Sequence, residues 1–303
     1  MFELRQCFLL FLTATIWGSG FVGQKLGVSH LSPFAFSFLR TFIGALCLIP
    51  VIYVLQTINK KTGKPQRKTN KRYLILGSIS CGFFLIMSES FQQFGLVTTD
   101  VNKASFITSL YMIFVPIIGI LFGHKIGVKI VFSVILSCVG LYLFCMKGGF
   151  YLQRGDFLVL LCALGFAGHI LVISYFINHV DGVLLSCGQF FCASFMGCIL
   201  MLCTEIPTID QLKAAAPALL YVGIMSNGIA YTLQIVGQRG LNPTIASLIM
   251  SLESVMGAFF GVLFLNEIIT QKELFGAMLM FIAVIITQIS FKKIHLKFSK
   301  SND

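Results

Sequence analysis

Three ionisable residues lie within long apolar stretches of the sequence: Arg40, Glu89 and Glu253. A charge at the centre of a bilayer costs at least ~2.5 to 3.5 kcal/mol on insertion scales, so such residues usually pair inside a helix bundle or face a water-filled path. An arginine can hold a carboxylate or phosphate group through two parallel hydrogen bonds. A lone carboxylate in apolar surroundings favours its protonated form, which makes Glu89 and Glu253 candidates for proton coupling. The three residues predict a polar pathway through a membrane protein.

Other polar and aromatic residues in the apolar stretches extend this candidate site. Glu89 precedes Gln93 by four positions, so both lie on one helical face. Trp17 is the only tryptophan, and it can stack on a planar substrate. The residues predicted to bind substrate or to line a cavity are Trp17, Arg40, Glu89, Gln93, Tyr111, His169, Gln189, Asn227, Gln234 and Glu253. For all of them, packing or hydrogen bonding between helices is the competing interpretation.

The composition is that of an integral membrane protein. Of the 303 residues, 57% are hydrophobic and only 11% are charged, whereas roughly a quarter of a soluble domain is charged. A helix needs ~20 apolar residues to cross the hydrocarbon core, and lipid cannot satisfy open backbone groups. We predict an all-α polytopic membrane protein with ten transmembrane helices, at 6–24, 33–55, 73–95, 102–123, 129–146, 156–177, 182–203, 215–237, 243–265 and 272–291.

The distribution of basic residues predicts the orientation. Most of the 22 Lys and Arg precede the first helix or follow the even-numbered helices, including the run at 60–72 and the tail after 291. Cytoplasmic loops carry such an excess, so we expect both termini in the cytoplasm, with the protein in the inner (plasma) membrane of a bacterium. We interpret the run at 60–72 as a topology determinant, in preference to a site for nucleic acid or for lipid headgroups.

The sequence contains an internal duplication. Ala104-Ser-Phe-Ile-Thr-Ser-Leu110 matches Ala246-Ser-Leu-Ile-Met-Ser-Leu252 at five of seven positions, and the same alignment places Glu253 on Tyr111. We therefore predict two five-helix repeats, 1–150 and 151–303, the second with a short basic C-terminal tail. Because five is odd, the second repeat enters the membrane from the opposite side. This arrangement is an inverted repeat, which places substrate near the midplane between the halves.

Several motifs carry a resemblance to a known family. They are Trp17-Gly-Ser-Gly-Phe-Val22, Phe38-Leu-Arg-Thr-Phe42, Ala104-Ser-Phe-Ile-Thr-Ser-Leu110, Leu252-Glu-Ser-Val255 and Phe264-Leu-Asn-Glu267. Together with the length and the duplication, they resemble the EamA family of the drug/metabolite transporter superfamily. The sequence departs from the family pattern at Gly123-His124, where Gly-Glu is frequent, and at Glu253-Ser254, where Glu-Pro is frequent.

The resemblance implies a ten-helix carrier with a central cavity that exports or exchanges small organic metabolites. The sequence has no G-x-x-x-x-G-K-[ST] phosphate loop, so its energy must come from a gradient. We expect a secondary active transporter of a small organic metabolite, such as an amino acid, a nucleoside-like or an aromatic compound, working by alternating access. The alternatives are a channel or uniporter without ion coupling and, as a third class, a membrane-embedded enzyme.

The expected partners are a small-molecule substrate and the lipid bilayer. The five histidines and ten cysteines are scattered and form no HExxH or CxxC pattern, so we expect neither a metal site nor a cofactor, and we do not expect an enzyme. Nucleic acid is not an expected partner. A monomer and a homodimer both remain open.

Overall fold

The computed structural model describes residues 2–62, 69–99, 101–123, 126–145, 153–265 and 269–288, and these residues form helices and turns without a β-strand. Eight helical stretches among them are long and apolar enough to cross a membrane, and Val128–Phe144 is a shorter apolar helix. Every one of the ten predicted segments coincides with a helical segment. The predicted all-α polytopic fold is confirmed.

We number the helical segments α1 to α10 in chain order. The unbroken ones are α1 (Phe2–Val28), α2 (Pro33–Thr62), α3 (Lys71–Thr98), α5 (Val128–Cys145), α6 (Arg154–Phe176), α7 (Gly182–Leu202) and α10 (Gln271–Gln288). Two segments are each made of two consecutive helices, α4 (Val101–Ser109 and Tyr111–Leu121) and α9 (Pro243–Met250 and Glu253–Leu265). Segment α8 (Ile209–Gln238) has a π-helical middle part, Val222–Tyr231.

Several helices are longer than predicted. Segment α1 begins at Phe2 instead of residue 6, and α2 continues to Thr62 instead of ending at residue 55. The prediction followed the hydrocarbon thickness, but a helix can continue into the polar interface. Lys60 and Lys61 lie in the last turn of α2, where positive charge favours a helix C-terminus.

Side-chain caps begin several of the segments. The Asn70 side chain accepts hydrogen bonds from the Arg72 and Tyr73 backbone N–H groups at the start of α3. Asp181 caps α7 in the same way. Asn242 caps α9, which has a proline at its first position. Asn, Asp and Ser/Thr are the side chains that satisfy the free N–H groups of a first helical turn, so the sequence itself determines these starts.

The breaks in α4 and α9 lie at equivalent positions of the two repeats. Segment α4 is interrupted at Leu110, and α9 is interrupted at Ser251 and Leu252. In the repeat alignment Leu110 corresponds to Leu252. Proline lacks the N–H group that continues a helix, so Pro116 favours a kink in α4. The structure places Pro116 within the helix Tyr111–Leu121, and the break at Leu110 precedes it. Interrupted helices of this kind build the binding sites of many inverted-repeat transporters.

The packing of the segments repeats itself between the halves. Segment α3 of the first half packs on α6 and α7 of the second half. Its counterpart α8 packs on α1 and α2, which are the counterparts of α6 and α7. Segments α2 and α7 pack on each other, and so do α5 and α10. Two copies related by a pseudo-two-fold axis produce this pattern, in which corresponding helices meet at the axis. The polar residues of both halves are thereby brought to one interior.

Some sequence features fall outside the described residues. They are residues 63–68 of the basic run, His124, residues 266–267 of the last family motif, the ends of the helices predicted to reach 146 and 291, and the basic tail after residue 288. The predicted repeat boundary at residue 150 also lies there, so the division into 1–150 and 151–303 stays a prediction. The same is true of the cytoplasmic location of the termini.

The close approach of α1 to α9 gives a direct test of this packing. A Cβ atom on Gly18 would lie 2.5 Å from Gly257 N and 2.6 Å from Glu253 O, which is closer than real contacts allow. A Cβ atom on Gly20 would lie 3.9 Å from its nearest neighbour, in Ser226. We expect Gly18→Ala to lower the melting temperature of the detergent-solubilised protein, since overpacking costs about 1–3 kcal/mol.

The matched control is Gly20→Ala on the same helix, for which the melting temperature should stay constant or rise slightly because alanine favours a helix. Equal effects of the two substitutions would contradict the packing of α1 against α9.

Candidate functional site

A buried ion pair joins α2 to α3. Arg40 and Glu89 have exposed side-chain fractions of 2% and 0%, and the Arg40 Nε atom donates to Glu89 Oε2 at 3.1 Å. Asn227 of α8 donates through Nδ2 to the other carboxylate oxygen, Oε1, also at 3.1 Å. Arginine stays charged at any physiological pH, so the pair is balanced when Glu89 is ionised. The Glu89 carboxylate is thus held by donors from α2 and α8, and its role in proton exchange stays a prediction.

Two glutamines extend the pair toward α1. The Arg40 Nη1 atom donates to Gln24 Oε1 at 2.8 Å, and Gln93 Nε2 donates to the same oxygen at 2.5 Å. The remaining guanidinium nitrogen, Arg40 Nη2, is buried and has no hydrogen-bond partner among the described residues. A buried donor without an acceptor costs about 1–3 kcal/mol, and a charged donor costs more. A hydrogen-bond acceptor from outside the chain would therefore stabilise Arg40.

Arg40 faces a narrow cavity between the two halves. The cavity is lined by aromatic and polar side chains of both repeats, from Trp17 and Arg40 in the first half to Gln234 and Glu253 in the second. Its volume is about 30 Å³, which is room for about two water molecules. Ligand pockets usually measure about 300–1,000 Å³, so the cavity in this structure is smaller than a pocket for an organic molecule.

Glu253 lies where the two interrupted segments meet. It is the first residue of the second helix of α9, and its Oε1 atom accepts a hydrogen bond from Ser109 Oγ at 3.3 Å. Ser109 Oγ also lies 3.0 Å from Ser254 Oγ, which donates to the Ser105 carbonyl at 3.2 Å. Serines therefore join the break of α9 to the break of α4.

Glu89 and Glu253 differ in their charged neighbours. Among the described residues the ion pairs are Arg40–Glu89 and Lys103–Asp156, and neither includes Glu253. Glu253 is 3% exposed and lines the cavity. A carboxylate without a cation in apolar surroundings is stabilised by a proton or by a cationic ligand. Glu253 has this character and Glu89 does not.

A second set of polar side chains lies behind the cavity wall. His169 Nε2 is 3.0 Å from Gln189 Oε1, which joins α6 to α7. The Tyr231 ring contacts His169, Trp17 and Phe190, with centroid separations of 5.9, 4.7 and 5.9 Å and edge-on geometry. Tyr231 thus separates the His169–Gln189 pair from Trp17 and the cavity.

The two ends of the bundle are tied by different chemistry. At the end where α3 meets α6, Asp156 pairs with Lys103 and accepts a hydrogen bond from Thr99 Oγ1 at 3.0 Å. At the opposite end, where α8 meets α1, Gln6 Nε2 donates to the Val236 and Arg239 carbonyls at 2.9 and 3.0 Å. The first connection contains an ion pair and the second is made by a neutral amide.

A comparison with protein families identifies this arrangement. The model of the EamA-like transporter family matches residues 4–146 and again residues 153–289. The chain belongs to this family. The two matches correspond to the two halves that surround the cavity.

Relatives of this EamA-family protein carry transporter names. An uncharacterized transporter of Archaeoglobus fulgidus is 31% identical over 285 residues, which cover 92% of this chain and 84% of the relative. The uncharacterized transporter YoaV of Bacillus subtilis is 24% identical over 285 residues, with 92% of this chain and 94% of the relative covered. The family and these names point to a membrane transporter rather than an enzyme.

A solved structure has the same fold. One crystal structure superposes with a TM-score of 0.71 at 14% identity and covers 93% of this chain and 96% of its own. At this low identity the likeness concerns the fold alone.

The ten residues that the sequence predicted for the site fall into two groups in this EamA-family protein. Five of the predicted residues face the cavity, and they are Trp17, Arg40, Tyr111, Gln234 and Glu253. The other five are buried behind it, and they are Glu89, Gln93, His169, Gln189 and Asn227. Glu89 binds Arg40, Asn227 binds Glu89, His169 and Gln189 bind each other, and Gln93 binds Gln24. The structure thus brings all ten into one interior, while their roles in transport stay predictions.

The sequence interpretation missed two central residues. Gln24 binds both Arg40 and Gln93, and it lies seven positions after Trp17, on the same helical face. Tyr231 lies three positions before Gln234 and four after Asn227, and this spacing could have indicated it. The π-helical part of α8 has no comparable signal, because the shift to i→i+5 hydrogen bonds depends on the packing around it.

The buried ion pair predicts a thermodynamic coupling. Arg40→Gln and Glu89→Gln each leave an uncompensated charge in the interior, and removing one partner of a buried pair typically costs about 3–5 kcal/mol. We expect each single variant to lower the melting temperature strongly. The double variant should lose clearly less than the two single losses together, because neither charge is then left alone.

Melting curves of the purified variants measure this coupling, with Glu205→Gln as a control because Glu205 is exposed. Additive losses would mean that Arg40 and Glu89 do not stabilise each other.

Proposed function

We propose that this protein is a secondary carrier for a small zwitterionic metabolite with an apolar part, such as an amino acid with an aromatic side chain. The observation that supports the proposal is the pair of opposite charges on one narrow cavity. Arg40 presents a buried N–H group without a partner, and Glu253 presents a carboxylate without a cation among the described residues. Both line the same cavity.

The two charges are complementary to the two ends of a zwitterion. A substrate carboxylate can accept a hydrogen bond from the guanidinium group of Arg40. A substrate ammonium group can be bound by the carboxylate of Glu253. The aromatic rings of Trp17, Phe166 and Tyr231 line the same cavity and offer an apolar contact for a side chain. Small-molecule sites are usually apolar pockets in which a few polar groups orient the ligand.

The narrowness of the cavity and the connections at its two ends support transport by alternating access. Substrate binding requires the helices to separate at one end while the connection at the other end holds. The Lys103–Asp156 pair and the Gln6 amide are the candidates for these two connections. The interrupted segments α4 and α9 would supply the movement, because an interrupted helix bends more easily than a continuous one.

Coupling to protons is the second part of the proposal, and we assign it to Glu253. A proton and a substrate ammonium group compete for this carboxylate, because only its ionised form attracts the cation. Such competition exchanges a proton for a substrate molecule across the membrane. Glu89 is a poorer candidate than Glu253, because its negative charge is balanced by Arg40.

Substrate analogues test the zwitterion proposal. Proteoliposomes loaded with phenylalanine should take up labelled phenylalanine by saturable counterflow. Phenylethylamine lacks the carboxylate and phenylpropionate lacks the ammonium group, so each should compete at least tenfold less well. The tenfold ratio corresponds to the loss of one charged hydrogen bond worth about 1.5–3 kcal/mol.

Equal competition by all three compounds would contradict recognition at two charges. Flux that does not saturate and shows no counterflow would indicate the channel alternative.

A pH gradient tests the assignment of Glu253. Vesicles with an acidic interior should accumulate phenylalanine above its external concentration, as protons leave in exchange. Glu253→Gln cannot take up a proton, so the gradient should no longer drive accumulation although slow downhill flux remains. Glu205→Gln is the matched control, because it makes the same change of side chain at an exposed position outside the cavity. Undiminished accumulation by Glu253→Gln would remove Glu253 from the coupling mechanism.

A further inference from the structure

A second concave surface lies on the outer side of the bundle, away from the central cavity. It is a groove of about 690 Å³ between the first part of α1 and the last part of α10. The buried side chains of Ile249 and Leu252, from α9, form its floor. Its walls include Phe8 and Ile285, which are 58% and 56% exposed. Apart from the Cys7 thiol and Arg5, every lining side chain is apolar.

The groove has a closed end and an open end. The rings of Phe11 and Phe281 contact each other across it, with centroids 6.5 Å apart, and close it toward the middle of the bundle. The open end lies at Arg5 and Leu4, near the start of α1. Six residues of helix separate Arg5 from Phe11, a length of ~9 Å. Half of the hydrocarbon core is ~15 Å thick, so the groove fits within one leaflet.

The open end of the groove carries one basic side chain. Arg5 is exposed there and is the charged residue of the groove lining. The Lys129 ammonium group donates to the Thr287 carbonyl at 2.8 Å, close to the lining residues of α10. Basic residues beside grooves between membrane helices favour anionic lipid headgroups, and an arginine binds phosphate through two hydrogen bonds.

We propose that this groove binds one anionic phospholipid, with an acyl chain between α1 and α10 and the phosphate group at Arg5. The apolar walls suit the acyl chain of such a lipid, and Arg5 at the open end suits its phosphate group. The length of the groove fits within one leaflet. The site does not depend on which metabolite the protein carries. It adjoins the transport machinery, because Leu252 on the groove floor directly precedes Glu253 on the cavity wall.

Native mass spectrometry of the delipidated protein tests this site. Phosphatidylglycerol and phosphatidylcholine with identical acyl chains are added in turn, and the fraction carrying one lipid is measured. The wild-type protein should bind phosphatidylglycerol about fivefold more tightly, the ratio expected for one basic residue at a membrane surface. Arg5→Gln should remove this preference and leave phosphatidylcholine binding unchanged. Arg72→Gln is the matched control, since Arg72 is also exposed but lies outside the groove.

A second pair of variants tests the acyl-chain part. Ile285→Trp fills the groove and should weaken the binding of both lipids. Ile135→Trp should not, because Ile135 is 58% exposed on α5 and does not line the groove. Equal effects of Arg5→Gln and Arg72→Gln, or unchanged binding by Ile285→Trp, would overturn the proposal. A wild-type dimer that Ile285→Trp converts to a monomer would also overturn it, because a second copy would then cover the groove.

Discussion

The interior of this protein is arranged around the buried positive charge of Arg40, which needs polar partners. Arg40 of α2 lies among apolar helices where an isolated charge would be unstable, and α1, α3 and α8 contribute a polar cluster around it. Gln24, Glu89, Gln93 and Asn227 form this cluster through the hydrogen bonds described above. The cluster spans both repeats, so the charge fixes how the two halves meet. One guanidinium nitrogen is left over, and it belongs to a group that lines the cavity.

The duplication accounts for the corresponding positions at which the two halves line the cavity. Equivalent breaks in α4 and α9 bring Tyr111 and Glu253 to the same cavity, although one is a phenol and the other a carboxylate. The two repeats thus share their backbone geometry at this place, while their side chains differ. Arg40 and Glu253 come from different halves, so one basic and one acidic side chain line the cavity.

The sequence predicted the fold well because its signals are local. Apolar stretches of membrane length identify the segments, and capping residues such as Asn70, Asp181 and Asn242 determine where α3, α7 and α9 begin. Intramembrane charge likewise identified Arg40, Glu89 and Glu253, because a charge in such a stretch is costly unless it has a partner or faces a polar path.

The pairing of these side chains could not be predicted, since it depends on how distant helices pack. Glu89 becomes an ion-pair partner of Arg40, and Glu253 lies beside serines instead of a cation. The π-helical turn of α8, which positions Asn227, is also a product of tertiary packing. Local sequence patterns identify the residues of a site. The packing of the whole bundle decides which of them line the cavity and which lie buried behind it.

The fluorescence of Trp17 gives the most direct test that the cavity is the transport site. Trp17 is the only tryptophan and lines the cavity, so its emission on excitation at about 295 nm reports on that place alone. Titration with phenylalanine should produce a saturable change in emission, with half-saturation at the concentration that half-saturates counterflow. A carrier that transports phenylalanine saturably while the emission of Trp17 stays constant would place the substrate elsewhere and contradict the account.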